Sequence, residues 1–266
     1  MKLSLFAAVT FVTSSVALAQ PVPSSPPVLC TDRPSKATSA CTVPKGMLQV
    51  ESDLVNWTRS DVDGVRTDTI LYVSPLLKFG LTSSTDIEVS IPPYETIRTQ
   101  DSSGANSVHG VGDLYLRVKQ RLTRADATAQ FAVEPFIKVP TAKSGIGNGK
   151  VEGGLIGTGV FSLPRGYTIT VTPEIDELEN ANLDGHHAQM VGAFNVAKSL
   201  SPKLTASAEL WTALDQDPSG HVWQYSADLS LAYLATPTVQ LDAGTNFGLN
   251  RATPGVQAYA GVSTRF

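Results

Sequence analysis

Apolar and polar residues alternate with a period of two along most of this chain, and this alternation limits what it can fold into. In residues 222–235, for example, Trp223, Tyr225, Leu229 and Tyr233 share one face. Successive side chains of a β-strand point to opposite faces, so the segment is predicted to be a strand with one apolar face. Its aromatic residues lie toward the two ends, with aliphatic residues between them. That order is expected where the middle of a strand meets acyl chains and its ends meet lipid headgroups.

The same alternation recurs between turn residues and predicts twelve strands. Their ranges are 47–58, 69–81, 85–96, 110–122, 127–139, 153–163, 167–178, 187–199, 204–215, 222–235, 239–248 and 255–266. The connections after odd-numbered strands are long, and those after even-numbered strands are short. The long ones are 60–68, 97–109, 140–152, 179–186, 216–221 and 249–254, and the short ones are 82–84, 123–126, 164–166, 200–203 and 236–238.

These two classes of connection indicate the fold class. Long loops at one end and tight turns at the other are typical of outer-membrane β-barrels, whose turns face the periplasm. An open sheet edge would leave backbone groups unpaired in lipid, so the sheet must close on itself. We therefore predict an all-β, transmembrane, antiparallel up-and-down β-barrel of about twelve strands over residues 47–266, in the outer membrane.

The N-terminal part is predicted to be a signal peptide followed by a periplasmic leader. Residues 1–19 contain Lys2, an apolar run and a small-residue cleavage pattern at 17–19. A membrane anchor is the alternative, but the run is shorter than the roughly 20 residues that span hydrocarbon. Residues 20–46 are rich in Pro, Ser and Thr, so this leader has no core of its own. It either hangs in the periplasm or folds into the lumen as a plug.

Cys30 and Cys41 are the only cysteines of the chain. A secreted protein meets an oxidising compartment, so a disulfide between them is predicted, with two unlinked thiols as the alternative. Two cysteines without an adjacent histidine do not predict a zinc site.

Charge and hydropathy exclude two classes of protein. The chain has 20 basic and 24 acidic residues and no basic patch, which argues against nucleic acid as a partner. Its mean hydropathy of +0.01 excludes a helical membrane protein. A mean hydropathy near zero is compatible with a barrel, in which only alternate residues meet lipid.

The polar faces of the predicted strands supply candidate residues for lining the lumen. Two explanations of their charges stay open: they bias which solutes pass, or they pair with one another across the lumen. The candidates are Glu51, Asp53, Lys78, Glu88, Asp113, Tyr115, Arg117, Lys119, Arg121, Glu134, Lys138, Glu209 and Asp228.

Three prolines interrupt predicted strands. Pro92, Pro93 and Pro135 cannot donate to the hydrogen-bond ladder, so they are predicted to mark bulges or strand ends. A bulge could open a lateral gap in the wall, through which an apolar solute would leave into lipid.

The chain ends on an alternating segment and a terminal aromatic residue, Phe266. This ending resembles the closing-strand signal that the barrel assembly machinery reads. The predicted partners are therefore that machinery, outer-membrane lipid and a small-molecule solute.

Four short motifs also resemble those of a known family. They are Thr31-Asp32-Arg33-Pro34, residues 42–51, Gly110-Val111-Gly112-Asp113 and Lys138-Val139-Pro140-Thr141. With them the chain resembles the outer-membrane transporters of the phenol-degradation meta-pathway family. The resemblance implies a barrel that passes small aromatic or apolar compounds, and none of the motifs is catalytic.

Two functions follow as hypotheses. The first is a channel for the passive passage of small, aromatic or hydrophobic molecules, and the second is a structural or adhesive barrel with a closed lumen. An enzyme is not predicted, because no serine pattern accompanies His109, His186, His187 and His221. No cofactor or metal is predicted, and residues 145–150 are interpreted as a mobile surface loop rather than a phosphate-binding loop.

Overall fold

Antiparallel backbone pairing runs around one sheet and returns to the strand from which it starts. Within residues 29–182 and 184–266, which the computed structural model describes, fourteen strand segments form this sheet. They are β1 (Leu48–Val62), β2 (Val65–Gly80), β3 (Thr85–Ser90), β4 (Tyr94–Asp101), β5 (Gly104–Gly110), β6 (Leu114–Arg121), β7 (Ala129–Val139), β8 (Glu152–Leu163), β9 (Tyr167–Glu179), β10 (His186–Ser199), β11 (Leu204–Asp215), β12 (Val222–Thr236), β13 (Val239–Gly248) and β14 (Val256–Arg265).

The segments make a closed barrel of twelve strands. β3 and β4 both pair with β2 and together form one strand of the barrel. β6 pairs with β3 and β5 pairs with β4, so β5 and β6 together form the next strand. The remaining strands pair in chain order, and β14 pairs with β1, which closes the wall. The predicted fold class is confirmed. The signal peptide predicted at residues 1–19 lies outside the described residues.

In the described ranges, no helix has the length and apolar character needed to cross a membrane.

The burial of side chains is inverted relative to a water-soluble protein. Large apolar residues such as Phe194, Leu210 and Leu229 are about half exposed on the outer face, whereas Lys78 and Glu88 are fully buried inside. Exposed apolar surface on this scale is stable only against an apolar solvent. The outer face therefore meets lipid, and the polar faces of the strands turn to the lumen.

Two predicted loops are strands instead. The prediction of a loop at 60–68 is wrong because β1 and β2 continue to a two-residue turn at Asp63-Gly64. These residues have φ of 51° and 79°, which an Asp-Gly pair adopts readily. The prediction of a loop at 97–109 is wrong because β4 and β5 form a hairpin there. Strand ends that project beyond lipid need no apolar face, so their sequences do not alternate.

Four neighbouring strands are interrupted at one level of the wall. The register of β1 shifts between Asp53 and Val55, and Val73 on β2 has a φ of 50°, which a β-branched residue rarely adopts. Residues 91–93 separate β3 from β4, and residues 111–113 separate β5 from β6. Above this level β5 pairs only with β4, whereas below it β6 pairs with both β3 and β7.

The prolines account for part of this pattern. Pro92 and Pro93 mark a strand end, as predicted. Pro135 marks neither a bulge nor a strand end, so that prediction is wrong. It lies inside β7, paired in register with Leu155 of β8, and only the ladder toward β6 skips this position. A proline is tolerated in a strand where its position makes no backbone hydrogen bond to the neighbouring strand, because its missing N–H is then not needed.

Candidate functional site in the plugged lumen

Residues 29–44, named here the plug segment, lie inside the barrel. A disulfide of 2.10 Å joins Cys30 to Cys41 and closes the segment into a loop. Ala37, Ala40 and Val43 are almost completely buried, although the segment has no regular secondary structure. Its polar groups therefore depend on partners from the barrel wall.

Two buried lysines of the wall hold Asp32 of the plug segment. Lys78 Nζ on β2 lies 2.5 Å from Asp32 Oδ2, and Lys119 Nζ on β6 lies 2.7 Å from the same oxygen. Burial alone would raise the pKa of Asp32, but the charges of Lys119 and Lys78 outweigh it and hold that pKa far below its usual range. Ammonium groups without access to water require such compensation.

Carboxylates of neighbouring strands complete the surroundings of Lys119. Its ammonium lies 3.2 Å from Glu88 and 3.1 Å from Glu134. Oxygens of Asp32, Glu88 and Glu134 lie within 4.8 Å of one another, as they would around a metal ion. The Lys119 ammonium occupies the place that such an ion would need.

Glu51 on β1 binds the backbone at the start of the plug segment. Its Oε2 accepts hydrogen bonds from the amides of Asp32 at 2.9 Å and Arg33 at 3.1 Å, and from Thr31 Oγ1 at 2.8 Å. Its other oxygen lies 3.2 Å from Lys78 Nζ. One wall carboxylate thus joins the plug backbone to the lysine network.

Arg33 spans the closing seam of the barrel. Its guanidinium lies 2.6 Å from Asp53 on β1 and 2.7 Å from Asp242 on β13, over the ring of Tyr259. Gly261 on β14 leaves the space for it, because a Cβ at this position would lie 2.1 Å from Arg33 Nη2. A glycine is therefore required here for close packing and not for a turn.

The next part of the plug segment is fixed through its backbone. Glu209 on β11 accepts hydrogen bonds from the amides of Lys36 at 2.9 Å and Ala37 at 3.0 Å. On β14, three strands further along the wall, the Tyr259 hydroxyl donates to the carbonyl of Pro34 at 2.6 Å. Residues 34–37 consequently lie between β11 and β14 on the inner side of the wall.

The Lys36 side chain is less enclosed than the other two lysines. Its Nζ donates to Ser226 Oγ at 2.7 Å, lies 3.0 Å from Asp228, and sits 4.5 Å from the ring centroid of Trp211. About 30% of the side chain is exposed, whereas Lys78 has no exposed surface.

Two cavities flank residues 34–37. One, of about 280 Å³, lies toward the loop end and is lined by Lys36, Trp211 and Gln257 among others. The other, of about 250 Å³, lies toward the turn end and is lined largely by hydroxyl groups such as that of Thr205. The plug segment forms part of the lining of both.

The family described as "Putative MetA-pathway of phenol degradation" matches this chain over residues 31–266. The chain belongs to this family. The match covers the strands of the barrel and nearly all of the plug segment. No curated protein matches the chain.

Solved structures share the fold of this family member. The COG4313 outer membrane channel from Pseudomonas putida F1 has a TM-score of 0.68 at 12% identity, over 88% of this chain and 100% of that chain. The beta domain of the Bordetella autotransporter BrkA has a TM-score of 0.56 at 11% identity, over 84% and 100%. At these identities the likeness concerns the fold. Together with the closed wall and the apolar outer face, it places the protein in the outer membrane, as predicted.

Most of the residues predicted to line the lumen surround the plug segment. Those in contact with it or with its lysine network are Glu51, Asp53, Lys78, Glu88, Lys119, Glu134, Glu209 and Asp228. Their charges pair mainly with the plug and with one another.

The other predicted residues have further partners, although Arg117 also lies 3.8 Å from Glu134 of the lysine network. Asp113 binds the amide of Ala142 at 2.9 Å, and Lys138 pairs with Glu152, both near the loop end. Arg117 lies over the ring of Tyr115, at 5.5 Å from its centroid.

Two predicted residues lie at the turn end. Arg121 donates to the carbonyls of Ser83 and Thr123 at the rim, where it lines a cavity together with Cys30 and Cys41 of the plug segment. Phe266 is exposed, and its amide donates to the carbonyl of Leu48 at 2.8 Å. Its role as an assembly signal stays a prediction.

His187, near the loop end of β10, contacts two aspartates. His187 Nε2 lies 3.0 Å from Asp215, and its Nδ1 lies 3.5 Å from Asp217. The Ser219 hydroxyl and backbone amides bind Asp217 and lower its pKa to about 2. The absence of enzymatic activity stays a prediction.

Sequence reasoning did not single out Asp32, Arg33 and Lys36 as functional residues. They belong to a segment without periodicity, so no strand pattern points to them. The one available signal was the family motif at residues 31–34, which contains two of the three.

Proposed function

We propose that the protein is a channel for the passive passage of small molecules across the outer membrane, and that the plug segment keeps it closed at rest. The observation that carries this proposal is the pair of cavities, about 280 Å³ and about 250 Å³, on the two sides of residues 34–37. Between them lies a separate stretch of chain, held by polar contacts. Displacement of that stretch would join the cavities into one passage.

The class of solute is proposed from the comparisons. The description of the family names phenol degradation, and one solved structure of the same fold is named an outer membrane channel. Small aromatic or hydrophobic compounds are therefore the solutes to test first.

For an apolar solute we also propose a sideways exit at the interrupted part of the wall. Beyond residues 111–113, β5 has no strand partner among the described residues on the side away from β4. The connection 140–151 covers this edge, and its Lys143 amide donates to the carbonyl of Val111 at 3.0 Å. A connection moves more readily than a paired strand, so this is where the wall would open.

Uptake into liposomes tests the channel. We expect protein-containing liposomes to take up benzyl alcohol and phenylacetate faster than empty ones. The variant Glu209→Gln weakens the acceptor for the two plug amides, so it should be faster still. Glu177→Gln, on the exposed outer face, serves as the matched control and should behave as the wild type. Uptake equal to that of empty liposomes for both wild type and Glu209→Gln would refute the channel.

A structural barrel with a closed lumen is the second candidate. The observation that favours it is the buried contact of Asp32 with Lys78 and Lys119, which holds the plug segment firmly. Under this alternative, no variant at the plug would give conductance in a planar bilayer.

A further inference from the structure

One corner of the lumen holds more negative than positive charge. Glu209 on β11 and Asp228 on β12 are direct cross-strand neighbours, and both face inward. Like charges placed directly opposite each other are unfavourable. The only ammonium within ion-pair distance of either carboxylate, in the described part of the chain, is that of Lys36.

The contacts of Lys36 are those that recognise a small ammonium ion. A Trp211 ring face, an Asp228 carboxylate and a Ser226 hydroxyl surround its Nζ at 4.5, 3.0 and 2.7 Å. An indole ring attracts a cation through its quadrupole, the Ser226 hydroxyl accepts an N–H bond, and the Asp228 carboxylate forms an ion pair with the ammonium. All three belong to the wall, so they remain in place if the plug segment moves.

The cavity of about 280 Å³ reaches this corner from the loop end. Asn246 also lines it and is only 6% exposed; its Oδ1 is buried without a hydrogen-bond partner. Its amide nitrogen is already used, because it donates to Gln257 at 2.6 Å. Within the described residues, the lining of the cavity thus includes an unpartnered acceptor, which suits a ligand that carries N–H donors.

We infer that this corner is a binding site for small primary ammonium ions and that Lys36 is its tethered occupant. An organic cation that reaches the cavity from the loop end competes with Lys36 for Trp211 and Asp228. When it displaces Lys36, residues 34–37 keep only their backbone contacts. The inference goes beyond the proposed function, because binding does not require passage.

Titration of the purified full-length mature protein in detergent tests this site. The probe is propylammonium chloride, with sodium chloride at equal ionic strength and 1-propanol as references, and the readout is tryptophan fluorescence. A short tether gives Lys36 an effective concentration on the order of millimolar, so Lys36→Met should bind propylammonium at least ~10-fold more tightly than the wild type. Trp211→Phe should remove the fluorescence change.

Matched variants show whether the response belongs to this corner. Lys45→Met removes an exposed lysine just outside the plug segment and should bind as the wild type does. Adding Asp228→Asn to Lys36→Met should abolish binding. The inference is overturned if Lys36→Met responds no more strongly to propylammonium than to sodium, or if the double variant still binds.

If Lys36→Met does not fold, thermal unfolding of the wild type tests the binding site independently. Propylammonium that raises the Tm more than sodium at equal ionic strength supports the site, because a ligand of the folded state stabilises it. Equal effects of the two salts overturn it. Since neither readout measures passage, a protein that conducts nothing can still pass this test.

Discussion

The two ends of the stretch 31–38 within the plug segment are held by ion pairs of different kinds. At residues 31–33, named here the anchor end, Asp32 contacts two lysines that have almost no exposed surface. At residues 36–38, the latch end, Lys36 contacts one carboxylate and is 30% exposed beside a cavity. Breaking the contacts of Asp32 leaves two ammonium groups away from water, whereas breaking that of Lys36 leaves one buried carboxylate and an ammonium that water can reach. The difference indicates that the latch end can release while the anchor end stays bound.

Removing the anchor carboxylate should have the largest effect. Asp32→Asn leaves Lys78 and Lys119 buried with one negative charge fewer, which is expected to lower the free energy of unfolding by about 3–5 kcal/mol. Urea unfolding in detergent measures it. Asp126→Asn, in an exposed turn pair with Arg124, is the control and should cause no measurable loss. Equal effects of the two variants would contradict a buried anchor.

Gly261→Ala should have the next largest effect, again at the anchor end. The added Cβ would lie 2.1 Å from Arg33 Nη2, and overpacking of this kind costs about 1–3 kcal/mol. The control is Gly255→Ala, where the nearest atom would lie 3.9 Å away. If both alanine variants unfold at the same urea concentration, the close packing of Gly261 against Arg33 and the Ser52 backbone is contradicted.

Lys36→Met should change the opening of the channel more than it changes the stability of the barrel. Lys36 itself is partly exposed, but its loss leaves the buried Asp228 without its ion-pair partner, so we expect a loss of stability smaller than that of Asp32→Asn but not negligible. Its open probability in a planar bilayer should nevertheless exceed that of the wild type, because the latch is lost. A closed channel together with a large loss of stability would reverse the comparison between the two ends.

The smallest effect is expected outside the lumen, at Asp217. Its pKa is lowered from 3.8 to about 2 by the Ser219 hydroxyl and backbone amides, so its contribution is complete above pH 4. That contribution is lost as the pH falls from about 4 through 2, when the folded protein takes up the proton. Asp217→Asn should flatten the pH dependence of Tm over this interval and leave conductance unchanged. An unaltered pH dependence of Tm would show that Asp217 does not contribute to stability in this way.

The wall could be predicted from sequence because lipid imposes a local rule. Each strand in contact with acyl chains must alternate, and segments such as 204–215 and 239–248 have the bounds that alternation predicts. The rule ends where strands project beyond lipid, and the segments 60–68 and 97–109, for which the sequence predicts loops, lie there.

The plug could not be predicted in the same way, because its partners are distant in sequence. Arg33 meets Asp242 across 209 residues, and the amide of Lys36 meets Glu209 across 173. No periodicity relates such positions. The alternation of polar and apolar residues correctly predicts that Glu209 and Asp228 face inward. It does not predict that a segment of the same chain contacts them.

Single-channel conductance of a variant without residues 20–44 tests the central claim most directly. The disulfide and every plug contact are then absent, while the strands from β1 onward are retained. We expect this variant to form a persistently open channel. The wild type should show only brief or rare openings at the same voltage. Equal conductance of the two proteins, with the barrel folded in both, would contradict it.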